Sequence, residues 1–81
     1  MAFDKRVFAE NLKRLRREKS ARENRDVTQA EVAEAVGVNE ATVQNYEAGR
    51  SVASYEVAWA LADFYGVALD ELGGRKRGSA A

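Results

Sequence analysis

Gln44 and Asn45 are adjacent uncharged amides. They stand one helical turn beyond Glu40 and Ala41 and shortly before Arg50. Each amide presents a donor and an acceptor side by side, which suits the N6 and N7 edge of adenine. A carboxylate such as Glu40 can accept from cytosine N4, and the methyl of Ala41 can touch that of thymine. The chain has no His and no Cys, so the commonest general base, the thiolate nucleophile and the usual metal ligands are missing. No paired-carboxylate or Gly-rich phosphate motif stands in for them. These residues are equipped for hydrogen-bonded recognition rather than for bond breaking. No catalytic activity, metal, cofactor or small-molecule ligand is expected.

The elements that must position them lie between Thr28 and Gly49, TQAEVAEAVGVNEATVQNYEAG. Thr28 can cap a helix whose third residue, Glu31, reaches back to the cap amide, and Val27 and Val32 have hydrophobic-staple spacing. Val32, Ala33 and Val36 fall at helical spacing, and Gly37 tolerates the positive φ of a tight reversal. Val38 is a buried turn residue. Asn39 caps a second helix with Val43 and Tyr46 inward and Gly49 at its end. Glu40, Ala41, Gln44, Asn45 and Ala48 then face outward. Small Ala33 allows two helices joined by a turn of three or four residues to approach closely.

This stretch resembles the helix-turn-helix of the Cro and lambda-repressor type, the XRE-like family of bacterial and phage regulators. Gln29 opens the first helix, small Ala33 and turn Gly37 come after it, and apolar residues stand at Val32, Val36, Val38, Val43 and Tyr46. Glu47 to Arg50 is similar to the family's usual Glu-Asn-Gly-Lys/Arg ending. The resemblance continues from Phe8 to Leu72 and implies an all-α, compact five-helix, lambda-repressor-like DNA-binding domain over residues 1–72, with its helix-turn-helix unit at 28–49. It implies base contacts from Glu40, Ala41, Gln44 and Asn45, and phosphate contacts from Gln29, Asn39, Thr42 and Arg50. Asn39 serves equally well as a pure cap. An Arg at the place of Arg16 pairs, in the family, with the Glu near the end of the recognition helix, here Glu47, so a structural pair is implied.

Around this unit, Asp4 is a cap for the first helix, with Phe3 and Phe8 at staple spacing and Phe8, Leu12 and Leu15 forming one buried stripe. Residues 20–26, SARENRD, depart from the family's short Gly-containing turn by about six added polar residues. They are expected to extend the first helix and form a loose surface loop, the alternative being a loop that offers Arg22 and Arg25 to phosphate. Ser54 caps a fourth helix with Val57, Ala58, Leu61, Ala62 and Tyr65 inward and Gly66 as its stop. Trp59 or Phe64 is expected at the rim of that stripe. Val67, Leu69 and Leu72 belong to a short final helix. Residues 73–81 read as a flexible basic tail carrying Arg75, Lys76 and Arg77.

The formal net charge is zero, but its distribution is uneven. Residues 1–25 hold nine Lys or Arg against four acids, whereas residues 26–72 hold Arg50 alone against nine acids. Phosphate attraction must then come from the first helix, the segment after it, Arg50, the tail and the positive ends of helix dipoles. Together these features read as a sequence-specific transcriptional regulator of the cytosol, binding a palindromic operator in double-stranded DNA as a homodimer. The acidic helix-turn-helix keeps a second reading open: an antitoxin-like protein-interaction module on the same fold with weak or no DNA binding. No apolar run is long enough to span a membrane, and MAFDKR lacks the apolar core of a signal peptide.

Overall fold

A computed structural model describes residues 4–73. Among these the chain forms α1 (Lys5–Glu23), α2 (Gln29–Val36), α3 (Glu40–Glu47), α4 (Tyr55–Tyr65) and α5 (Asp70–Gly73), with no strand. Each of the first four helices starts where a short polar side chain can take up a free amide. Asp4 accepts from the amides of Arg6 and Val7, Thr28 from Glu31, Asn39 from Thr42, and Ser54 from Val57. The partner proposed for Phe8 in a staple, Phe3, lies outside the described residues.

The core collects the inward stripe of every helix. Phe8, Leu12 and Leu15 of α1 meet Val32, Ala33 and Val36 of α2, Val43 and Tyr46 of α3, and Ala58, Leu61, Ala62 and Tyr65 of α4. Phe8 and Tyr46 pack edge to face with ring centroids 5.6 Å apart, joining α1 to α3. Leu72 of α5 is fully buried, and Asn11 Nδ2 donates to its carbonyl at 2.8 Å, pinning the short last helix onto α1. Removing a side chain such as Phe8, Leu12, Leu61 or Leu72 from water contributes about 1.5–3 kcal/mol.

Two local expectations are corrected. The added segment at 20–26 extends α1 to Glu23, but the chain beyond Glu23 is not a loose loop. Asn24 turns it through a left-handed conformation (φ 54°), Arg25 N–H closes onto the Ser20 carbonyl, and Val27 N–H donates to Ser20 Oγ at 3.0 Å. Val27 is fully buried, so the segment is anchored at both ends. Second, the Glu31 carboxylate does not return to the α2 cap. Arg25 holds it with two bonds of 2.8 and 2.6 Å and also reaches Glu23, because a cation in reach outcompetes a neutral amide for a carboxylate. Of the two aromatics expected at the rim of the α4 stripe, Phe64 takes that place, whereas Trp59 stands clear of the core, 54% exposed beside Tyr55. From residue 74 onward the expected basic tail lies outside the described residues, and Gly73 is the last residue of α5.

Candidate nucleic-acid interface

Glu47, the last residue of α3, is only 6% exposed, and its carboxylate is saturated by charged and neutral donors. Arg16 Nε donates to Oε2 at 2.9 Å, Arg16 Nη2 donates to Oε1 at 3.0 Å, and Gln29 Nε2 donates to the same Oε1 at 3.0 Å. Arg16 Nη1 meanwhile donates to the Val27 carbonyl at 3.0 Å. One forked guanidinium thus ties α1 to the end of α3 and to the residue just before the α2 cap. The bond to Glu47 is the main cause that raises the pKa of Arg16 above its ordinary value, against the opposing effect of burial. The structure therefore brings Arg16 and Glu47 together and adds Gln29 to them. The phosphate role implied for Gln29 leaves its Oε1 and its backbone amide, the first of α2, for any outside contact.

Between α2 and α3 the chain reverses at Gly37, whose φ of 82° only glycine adopts without strain. Asn39 then caps α3. Its Oδ1 accepts from the Thr42 amide and from Thr42 Oγ1, both at 2.8 Å. Capping consumes the acceptor of Asn39 and the hydroxyl hydrogen of Thr42, so the Nδ2 hydrogens of Asn39 are what it can present outward.

Glu40, Ala41 and Gln44 are exposed on one face of α3, opposite the buried Val43 and Tyr46. Gln44 Nε2 sits 3.5 Å from Glu40 Oε2, at the outer limit of a hydrogen bond, so both side chains stay available. Asn45 is half-buried at the edge of the same face. Arg50 Nη1 donates to its Oδ1 at 3.2 Å. The backbone enforces that proximity: Gly49 is left-handed (φ 79°), Gly49 N–H bonds the Tyr46 carbonyl, and Arg50 N–H bonds the Asn45 carbonyl at 3.0 Å. This is the six-to-one and five-to-two pairing of a Schellman C-cap.

The exposed face of α3 is thus a short row of carboxylate, methyl and two amides on a rigidly held helix, with one cation at its end. With no aromatic or branched apolar side chain in it, the row suits a groove lined with hydrogen-bonding edges. Arg25, one of the two arginines offered as a possible phosphate contact, is engaged by Glu31 and Glu23 instead. Sequence reasoning missed that clamp and the Gln29–Glu47 bond, since both join residues that no helical period relates. It also missed the exposed pair Tyr55 and Trp59, whose rings lie 5.9 Å apart. Their i, i+4 spacing just after the Ser54 cap was the available signal. No helix among the described residues is long and apolar enough to cross a membrane, and no group of three or more His, Cys, Asp or Glu there could hold a metal ion.

A family model described as Helix-turn-helix matches residues 19–72. Among solved structures, the chain is similar to the solution structure of the SOS-response transcriptional repressor LexA from Eubacterium rectale. The TM-score is 0.79 and the identity 25%, over 94% of this chain and 74% of that one. It is also similar to the crystal structure of a transcriptional regulator from Listeria innocua, with a TM-score of 0.71 and 31% identity over 86% of this chain and 60% of that one. No curated protein matches the sequence.

Proposed function

The chain belongs to the Helix-turn-helix family, of the Cro and lambda-repressor type, and on that footing we propose that it is a sequence-specific DNA-binding transcriptional regulator without enzymatic activity, working in the cytosol. Residues up to Leu72 form the binding unit. α3 enters the major groove with Glu40, Ala41, Gln44 and Asn45 toward base edges. Asn39, Gln29, Thr42 and Arg50 set its register against phosphate.

The observation that carries this reading is the exposed amide-bearing face of α3 on a helix whose other face and far end are locked to α1 and α2. A reading helix must hold its side chains in place within about half an ångström of their targets. The Arg16, Glu47 and Gln29 cluster supplies that rigidity.

An acidic subunit attracts phosphate weakly, so a pair of subunits is part of the proposal. Two copies presenting α3 about 34 Å apart would match a palindrome of two half-sites. Tyr55, 68% exposed, and Trp59 form the apolar contact for the second copy, since one tilted aromatic pair on an otherwise polar helix face loses most by staying in water. The excess of acids over residues 26–72 favours the second reading, an interaction module that docks a basic protein partner.

Selection of bound sites from random duplex DNA at low salt, repeated with the Q44A/N45A double variant, separates the two. A palindromic motif that the variant loses is the expected result. Absence of enrichment at every salt concentration would transfer the assignment to the interaction module.

A further inference from the structure

Asn45 reaches the exposed face of α3 with one of its two amide functions already engaged. The Schellman turn at Gly49 brings Arg50 back alongside it, and Arg50 Nη1 donates to Asn45 Oδ1 at 3.2 Å. A guanidinium has five N–H donors and no acceptor, so the oxygen of Asn45 is the atom it must take. The Nδ2 hydrogens are then what Asn45 offers to anything beyond the protein.

Paired bonding to adenine needs both amide functions, Oδ1 accepting from N6 and Nδ2 donating to N7. A second lone pair remains on Oδ1, but a donor approaching it would bring its positively polarised hydrogens against the guanidinium. Guanine carries two acceptors, N7 and O6, on the same edge, and both suit a patch made only of donors.

We propose that Arg50 sets the base preference of Asn45, making it a donor-only reader that selects guanine over adenine. The inference rests on the DNA-binding reading above and goes beyond it by assigning one base and the residue that imposes it. Arg50 acts through Asn45 as a positioning residue, and its other N–H groups remain free for a neighbouring phosphate.

The test is site selection on random duplex DNA with four proteins: wild type, N45A, R50M and R50K. N45A identifies the column that Asn45 reads. There the wild type is expected to prefer guanine over adenine by about tenfold, the scale of one base-edge contact. R50M keeps the side-chain length without donors and should bring that ratio to within about twofold of unity or reverse it. R50K restores a cation that donates and should keep guanine. A general loss of affinity in R50M with the guanine preference intact would mean that Arg50 touches phosphate only, and would overturn the inference. So would an adenine preference in the wild type, or a motif with no column that N45A alters. Failure of the wild type to select any motif would overturn the DNA-binding reading itself, and the two failures are therefore told apart by the wild-type selection alone.

Discussion

Replacing Arg16 by Met keeps the length of the side chain and removes every donor it brings to the junction of α1, α2 and α3. The Glu47 side chain, 5% exposed, would be left with the Gln29 amide as its donor, and the Val27 carbonyl would lose its 3.0 Å partner. Stranding one member of a buried pair costs about 3–5 kcal/mol. Because the Arg16 side chain retains 24% of its exposure, water can partly replace it, and the lower end, about 3 kcal/mol, is the expected loss. For a domain of this size 1 kcal/mol moves the melting temperature by about 4–8 °C, so R16M should melt at least about 12 °C lower. The whole fold is worth about 4–12 kcal/mol at 0.05–0.15 kcal/mol per residue. The variant should therefore still fold at room temperature, and a thermal melt followed by circular dichroism can read the shift. The double variant R16M/E47L supplies the decisive comparison. If the penalty comes from an uncompensated carboxylate, removing that carboxylate should recover much of the loss although a second native residue is gone. A shift of less than about 3 °C in R16M, or a double variant no more stable than R16M, would refute the reasoning.

The same geometry sets three further outcomes. The Tyr65 hydroxyl is buried with no hydrogen-bond partner among the described residues, and burial pushes its pKa well up. Y65F should therefore be neutral or gain up to about 1 kcal/mol, read as a urea midpoint that holds or rises. Glu23, bonded first by Lys19 and then by Arg25, and Glu31, bonded by Arg25, have carboxyls held below their ordinary value of 4.5. A depressed folded pKa gives stability that is present above the unfolded value and disappears as pH falls through the folded one. R25A should accordingly lower the urea midpoint at pH 7 more than at pH 3, by an amount that shrinks in high salt because the groups are exposed. W59S should shift the mass measured by sedimentation equilibrium from two chains toward one while leaving the circular dichroism spectrum unchanged. An unaltered mass would remove Trp59 from the proposed contact.

Most of the architecture was legible because its causes are local. Caps are short polar side chains acting over two or three residues, and Asp4, Thr28, Asn39 and Ser54 could be placed by type alone. The inward stripes recur with the helical period, which is why Phe8, Leu12 and Leu15, or Ala58, Leu61 and Tyr65, could be assigned to the core from spacing. The outward setting of Glu40, Ala41 and Gln44 came from the same period, as the complement of Val43 and Tyr46. The pairing of Arg16 with Glu47, 31 positions apart, was legible only through family resemblance, since no local rule relates the two.

The sequence by itself therefore determined the set of helices, their ends and their buried faces, each fixed by interactions within a turn or two. Within α1, Arg14 with Glu18 and Lys19 with Glu23 pair at the i, i+4 spacing of the helix itself, but only the tertiary structure decided the partners of the long polar side chains that reach between elements. Arg25 could have faced solvent or phosphate, and it became a clamp because the extended α1 delivers it beside Glu23 and Glu31. Gln29 could have pointed away from α3, yet the crossing of α2 and α3 sets its amide against Glu47. Asn45 and Arg50, by contrast, meet through a local cause, the left-handed Gly49 that turns the chain back on itself. Long charged and amide side chains reach several ångströms in many directions at similar cost. Their choice among donors and acceptors waits on which helices the packed core brings within that reach.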